Sequence, residues 1–347
     1  MKNLQWQLQA HPTADETVGV QHFNLVEKEV VAPGPNELLV RTLVLGTSPA
    51  QRAYTIENPR FHESLKIGDV MRGRGIGVVE KSNHPDFAVG DWVAGSLGWQ
   101  QYSIQKIGLG PKGTVDVLSV QKVDDSIRPS SLHLGALGNA GYAALYGMED
   151  VGQVSAGKTV VVSAAAGGVG CMAGQIAKAH DARTIGIAGG PDKCDWLCQQ
   201  AGFDAAIDYK NEDVAEALDR LCPDGIDIFF DNVGGPILDI VLQRLAMGSR
   251  VVLCGLIATE YLTERPPGPA YYSELLYKRA RMEGYVIWDQ VHRYPAFQAK
   301  LKAWYDLQLI KPLDDISVGI ETVPDALSSL FKGGNTGIRL VRVSEDD

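Results

Sequence analysis

The chain has 347 residues, 45% hydrophobic and 21% charged, with a formal net charge of −10. That length suits two globular domains, and the acidic balance excludes a general nucleic-acid binder, because phosphate contacts need clustered Lys and Arg. The five cysteines, Cys171, Cys194, Cys198, Cys222 and Cys254, are an odd set confined to the second half, which excludes a paired disulfide framework and points to a reducing compartment.

Residues 1–16 hold no apolar core of signal-peptide length, and no stretch approaches the ~18 uninterrupted apolar residues of a membrane span. A soluble, cytoplasmic protein is expected. Up to about residue 125 the chain reads as short β segments and turns. "ELLVRTLVLGTS" (residues 37–48) is a long β-rich run. "GDVMRGRGIGVVEKS" (68–82) is a strand broken by glycines, and "FAVGDWVAG" (87–95) is a turn and a strand. Glycine at this density suggests the bulges and corners of a curled sheet or small barrel.

The pattern changes near Arg128. Residues 130–152 look helical with small side chains, and then strands and helices alternate. "KTVVVSA", "RTIGIAG", "AAIDYK", "GIDIFFDNVG" and "RVVLCGL" read as strands. "GCMAGQIAKAHD", "PDKCDWLCQQAG", "EDVAEALDRLC" and "PILDIVLQRLAMG" read as the intervening helices. Such alternation predicts a doubly wound parallel sheet, an α/β Rossmann domain, over 128–311. "RMEGYVIWD" (281–289) predicts a late strand. The tail, a helix, a glycine turn and a strand, resembles the first region, so the β-rich domain is expected to comprise 1–127 and 312–347.

Ala166-Gly167-Gly168-Val169-Gly170 follows a strand and opens a helix. Glycines there let the backbone approach a pyrophosphate, and the helix N-terminus supplies N–H groups and positive dipole. The next strand, "IGIAGGPDK", ends in Gly189 and Gly190, where NAD enzymes keep an acidic residue for the ribose hydroxyls. Small residues leave room for a 2′-phosphate and Lys193 can pair with it, so the loop favours NADPH. Asp192 is the counter-reading, as a carboxylate for ribose hydroxyls.

Together "AAAGGVG", "GGPDKC", "GFDAAIDYK", "DNVGG", "CGLI", "PPGP" and "GGNTG", in that order, with residues 69–102 of the first region, resemble the zinc-independent medium-chain dehydrogenases/reductases. The resemblance is to the leukotriene B4 12-hydroxydehydrogenase, prostaglandin reductase and alkenal double-bond reductase group, and it covers essentially the whole chain. It implies a GroES-like β-rich domain beside the Rossmann domain. It implies that Gly167, Gly168, Val169 and Gly170 hold the pyrophosphate, and that Lys193 and Tyr209 take the 2′-phosphate beside Gly189. Asn232 would contact the cofactor, and Cys254, Gly255 and Leu256 would pass beside its nicotinamide half. Tyr285, Val286 and Ile287 match a strand lining the nicotinamide, and Asn335 would reach the cofactor from the other domain. The resemblance also implies a homodimer, with late strands paired across subunits.

The chain departs from the group's pattern on the substrate side. A tyrosine usual after the "CG-x-I" motif is replaced by Glu260, with Tyr261 one position later. The usual "DPYMR" reads Ser48-Pro49-Ala50-Gln51-Arg52, with Tyr54 further on, and a usual lysine is Ile338. Tyr261 and Tyr54 are the candidate enolate stabilisers or proton donors, and each reads equally as a packing residue. Glu260 is a candidate acid if burial raises its pKa. Tyr271 and Tyr272 suggest an aromatic mouth or an interface.

No cysteine precedes Cys171, and His11, His22, His62, His84 and His133 lack ligand spacing, so no zinc site is expected. Without a metal electrophile, a C=C bond conjugated to a carbonyl is an easier hydride acceptor than an isolated carbonyl, because charge spreads into an enolate that hydroxyls can steady. The expected activity is NADPH-dependent reduction of α,β-unsaturated aldehydes or ketones, with hydride to the β carbon. Quinone reduction and a non-catalytic, crystallin-like NADPH-binding role are the alternatives.

Overall fold

The chain passes twice between two units of the computed structural model, Met1–Leu134 with Asp314–Asp347, and Gly135–Leu313. The structure describes residues 1–13, 15–56, 64–107, 119–259 and 267–345.

In the first unit the early β segments become β1 (Lys2–Leu8), β2 (Phe23–Glu29), β3 (Glu37–Gly46), β4 (Arg74–Ser82), β5 (Trp92–Ser96), β6 (Tyr102–Lys106) and β7 (Gln121–Lys122). β1 and β2 pair antiparallel. β3, whose apolar run is buried on both faces, pairs with both β4 and β6.

The second unit carries α1 (Asn139–Tyr146), β8 (Thr159–Ser163), α2 (Gly168–Ala179), β9 (Arg183–Ala188), α3 (Pro191–Gln199), β10 (Ala205–Asp208), α4 (Val214–Leu221), β11 (Ile226–Asp231), α5 (Gly235–Leu242), β12 (Leu245–Leu253), α6 (Glu274–Lys278), β13 (Arg281–Gly284) and α7 (Tyr294–Asp306). The chain then re-enters the first unit as β14 (Asp314–Val318), α8 (Val323–Phe331) and β15 (Ile338–Arg342). β15 pairs with β3 and with β14, completing the order β14-β15-β3-β4-β5-β7. Val323, Ala326 and Leu327 of α8 pack against Trp6, Leu8, Met71 and Trp99. Burying a Val, Leu or Met side chain contributes roughly 1.5–3 kcal/mol.

The sheet of the second unit runs β10-β9-β8-β11-β12-β13 with every pairing parallel. This is the doubly wound order in which the strand sequence reverses between β8 and β11. Continuous apolar strands fill its core, with Val161, Ile185, Phe229 and Val251 packed against Leu218 of α4 and Leu242 of α5, as expected for strands covered on both faces.

Among the boundaries that differ from the sequence reading, two are set by strand pairing. The helix predicted through residue 248 ends at Leu242, and residues 245–248 join β12, where Leu245 pairs with Ile226. The strand predicted over 281–289 stops at Gly284, because β12, its one partner among the described residues, ends at Leu253 opposite Gly284. Ile287 instead opens a 3-10 turn, Ile287–Arg293. Among the described residues no helix is long and apolar enough to cross a membrane.

Candidate functional site

Ligands of open parallel sheets bind outside the carboxyl ends of the strands where the order reverses. Here those ends belong to β8 and β11, and the glycine turn leaves β8 there. Gly167 is the N-cap of α2, with no side chain capping the helix, so the first-turn N–H groups and the dipole face outward. Gly170 is obligatory at its position: a Cβ there would stand 2.4 Å from the carbonyl oxygen of Ala164. Ala164 itself has φ +46°, which draws the turn tight against the helix. Gly168 and Val169 are the first two helical residues.

The two strand ends are tied by side chains that the sequence reading did not single out. Ser163 Oγ donates to Asp231 Oδ1 at 2.8 Å. The fully buried Asp231 carboxylate also accepts the N–H groups of Val233 and Gly234 at 2.9 and 3.0 Å. Burial pushes this carboxyl above the usual range, while the three donors favour its charged form. Asn232 Nδ2 donates to the Ser163 carbonyl at 2.7 Å, and its backbone N–H to Ser163 Oγ at 2.8 Å. The N–H groups of Cys254 and Gly255 donate to the Asp231 carbonyl at 2.9 and 3.1 Å. Asn232, Cys254 and Gly255 are thereby gathered at one end of the sheet beside the glycine turn, and Leu256 follows, partly exposed. A polar pair closing the apolar run "IDIFFDN" was the available signal for Asp231.

Tyr285 lies just beyond β13. Its hydroxyl donates to the Ala143 carbonyl at 2.6 Å, and its phenol is in hydrogen-bond contact with the Cys254 thiol. Burial pushes the thiol up to about 11 and the phenol well above its ordinary value. Val286 and Ile287 follow Tyr285 as half-buried residues leading into the 3-10 turn.

At the ends of β9 and β10 the chain makes a second cluster. Gly190 is the N-cap of α3 with φ +105°, a conformation that glycine adopts without strain. Its N–H donates to Asp208 Oδ1 at 2.8 Å. The same carboxylate accepts from Lys210 N–H at 3.1 Å and Asn211 Nδ2 at 2.7 Å, and these hydrogen bonds, Asn211 first, hold Asp208 below the usual carboxylate range. An acidic residue therefore does stand at this loop, contributed by the third strand, β10, rather than the second, β9. Gly189 has no room for a side chain of its own, because its neighbours close on it. A Cβ there would lie 2.8 Å from the Tyr209 ring and 2.9 Å from Lys210 Cε, whereas a Cβ on Gly190 would meet nothing within 4 Å. Lys193 sits in the first turn of α3, and Asp192 is exposed.

Tyr54 and Asn335 belong to the other unit. Tyr54 is 9% exposed, packed with Trp6 and Met71 under the guanidinium of Arg72, which lies 5.2 Å from its ring centroid. Burial raises its phenol above the ordinary value, opposed by Arg72 and Arg74. Asn335 Nδ2 donates to the Gly337 carbonyl at 2.8 Å. Glu260 and Tyr261 lie outside the described residues.

Residues 4–109 match a family model described as the N-terminal domain of oxidoreductase, and residues 168–302 match one described as zinc-binding dehydrogenase. The chain is 37% identical over 351 residues to an NADPH-dependent curcumin reductase of Escherichia coli (strain K12), covering 100% of this chain and 98% of the relative. It belongs to the zinc-independent medium-chain dehydrogenases/reductases, in the alkenal reductase group. Another relative in this group, a 2-alkenal reductase (NADP(+)-dependent) of Nicotiana tabacum, is 37% identical over 326 residues, covering 93% of this chain and 92% of the relative. The solved structure of CurA from Vibrio vulnificus in complex with NADPH superposes with a TM-score of 0.90 at 36% identity, covering 99% of this chain and 100% of that one. Although one matched model is named for zinc, among the described residues no three His, Cys, Asp or Glu side chains form a group able to hold a metal ion.

Proposed function

We propose that this member of the alkenal reductase group uses NADPH to reduce the C=C bond of α,β-unsaturated aldehydes and ketones. The observation that carries the reading is end-to-end likeness to an NADPH-dependent curcumin reductase and a 2-alkenal reductase, and to a structure solved with NADPH. The local geometry fits the cofactor. A side chain at position 170 would close the glycine cradle, α2 opens without a side-chain cap, and Gly190 leaves an open side at the second loop.

In this reading Gly167, Gly168, Val169 and Gly170 bind the pyrophosphate through backbone N–H groups and the α2 dipole. Lys193 and Tyr209 take the 2′-phosphate, and Asn232, Cys254, Gly255, Leu256, Tyr285, Val286, Ile287 and Asn335 take the rest of the cofactor. When bound, NADPH supplies a hydride to the β carbon of the substrate. The protein's part is to hold charge and protons. Tyr54, whose phenol burial raises above its ordinary value, is the candidate donor toward the enolate oxygen, with Tyr261 and Glu260 as further candidates. Tyr54→Phe should lower kcat by roughly 10²–10⁴ if that hydroxyl moves a proton in the transition state, and an unchanged kcat assigns Tyr54 to packing.

The decisive assay supplies NADPH carrying deuterium at the transferable position with a conjugated enone. The expected product is the saturated ketone labelled at the β carbon. An allylic alcohol as the sole product would overturn the double-bond assignment, and oxidation of NADPH by quinones alone would favour quinone reduction.

A homodimer across β13 is part of the same proposal. β13 is an edge strand, and the adjoining α6 exposes Leu276 and Tyr277 at 74% and 63%, beside Tyr272 at 68%. Light scattering should give twice the 37.5 kDa chain mass. An odd set of five cysteines, all in the second half of the chain, supports placing the protein in the cytoplasm.

A further inference from the structure

The second loop holds more charge than the sequence reading used. Asp208 brings a carboxylate to within 2.8 Å of Gly190 N, at the place where the cofactor's 2′-phosphate is read to bind. A phosphate monoester carries about −1.5 to −2 at neutral pH. Lys193 alone balances one carboxylate here, while Asp208, the exposed Asp192 and Glu212 together bring three.

The structure supplies a second lysine. Lys210 follows Tyr209 at the end of β10, and its stem runs across Gly189, with Cε 2.9 Å from where a Cβ on Gly189 would stand. The Tyr209 ring lies over the same residue. Gly189 therefore serves as the floor on which the Tyr209 ring and the Lys210 stem rest. The acids around Lys210 also engage other groups, and the Lys210 charge is one of the causes that hold the Asp208 carboxyl low. Asp208 accepts two backbone N–H groups and the Asn211 amide. Glu212 accepts the Asp208 N–H at 2.7 Å and faces Arg220 at 3.5 Å.

We propose that Lys210 is a second cationic ligand of the cofactor's 2′-phosphate, reaching across Gly189 to act with Lys193, and that Asp208 positions both by holding Gly190 and Lys210 through their N–H groups. This rests on the reading of the loop as the 2′-phosphate site. It accounts for the absence of a side chain at position 189, where even a methyl group would displace both the tyrosine and the lysine.

The test titrates NADPH, NADH, 2′,5′-ADP and 5′-ADP into the full chain as wild type, Lys193→Ala and Lys210→Met, following binding by calorimetry. Methionine keeps an unbranched stem over Gly189 and removes the charge. A lost charge-assisted contact corresponds to about 10-fold or more in affinity. Lys210→Met should weaken NADPH and 2′,5′-ADP by that order, leave NADH and 5′-ADP within about 2-fold, and flatten the salt dependence of NADPH binding. If Lys193→Ala lowers the preference for NADPH and Lys210→Met does not, the role of Lys210 is overturned while the loop reading stands. If Lys210→Met weakens both cofactors equally, its stem only packs, and the proposal fails. If neither variant changes the NADPH-to-NADH ratio, the phosphate is held elsewhere and the loop reading itself is overturned.

Discussion

Ser163, the last residue of β8, donates its hydroxyl to the Asp231 carboxylate at the end of β11 across 2.8 Å, joining the two strands between which the sheet reverses its order. The same carboxylate accepts two N–H groups of the turn that leads into α5. Its removal leaves buried donors without acceptors, at about 1–3 kcal/mol for each. Asp231→Ala should therefore lower the free energy of unfolding by about 3 kcal/mol or more, and Asp231→Asn by less, since its amide keeps one acceptor oxygen. Urea denaturation measures both. An Asp231→Ala variant as stable as wild type would show that the network contributes nothing.

Gly170→Ala places a methyl group 2.4 Å from the Ala164 carbonyl oxygen, both of them backbone-bound and unable to swing aside. Overpacking of this kind costs about 1–3 kcal/mol, and here the strain falls on the turn read to bind the pyrophosphate. Both the melting temperature and the affinity for NADPH should fall, while Gly167→Ala, with 3.2 Å to the same oxygen, should be milder. Fluorescence titration with NADPH and a thermal melt separate the two effects. Equal behaviour of the two variants would contradict the geometry.

Burial pushes the Cys254 thiol up to about 11, because taking the thiol out of water disfavours the thiolate. The thiolate is the species that alkylates. The rate of iodoacetamide modification at Cys254, followed by mass spectrometry, should rise about tenfold per pH unit from pH 7 to 9 without levelling, a slope set by the thiolate fraction. A plateau near pH 8.5, the value of an ordinary thiol, would be inconsistent with the environment described.

Purified protein should contain no stoichiometric zinc, and chelators should leave its activity intact. No cysteine precedes Cys171, and the early histidines lack ligand spacing. Metal analysis before and after dialysis against a chelator checks this. One equivalent of tightly held zinc, lost together with activity, would reverse the expectation.

The parallel sheet, the β-rich region and the glycine turn were legible along the chain, because each is written in local pattern: continuous apolar runs, helices of matching length, and glycines at a strand-to-helix junction. The family was legible for a related reason, since its motifs are contiguous strings that hold their order along the chain. Tertiary structure decided whatever depends on residues far apart in the chain. Strand β13 ends where its partner β12 runs out at Leu253, and no local signal in residues 281–289 marks that end. Ser163 and Asp231 stand 68 positions apart and meet only because β8 and β11 are neighbours at the reversal. Asp208 reaches Gly190 from 18 positions away for the same kind of reason, the parallel pairing of β10 with β9. The position that a sequence search examines for an acidic residue follows β9. A carboxylate delivered from the adjacent strand is invisible there, and so are the ring and the lysine stem that occupy the space a glycine leaves open.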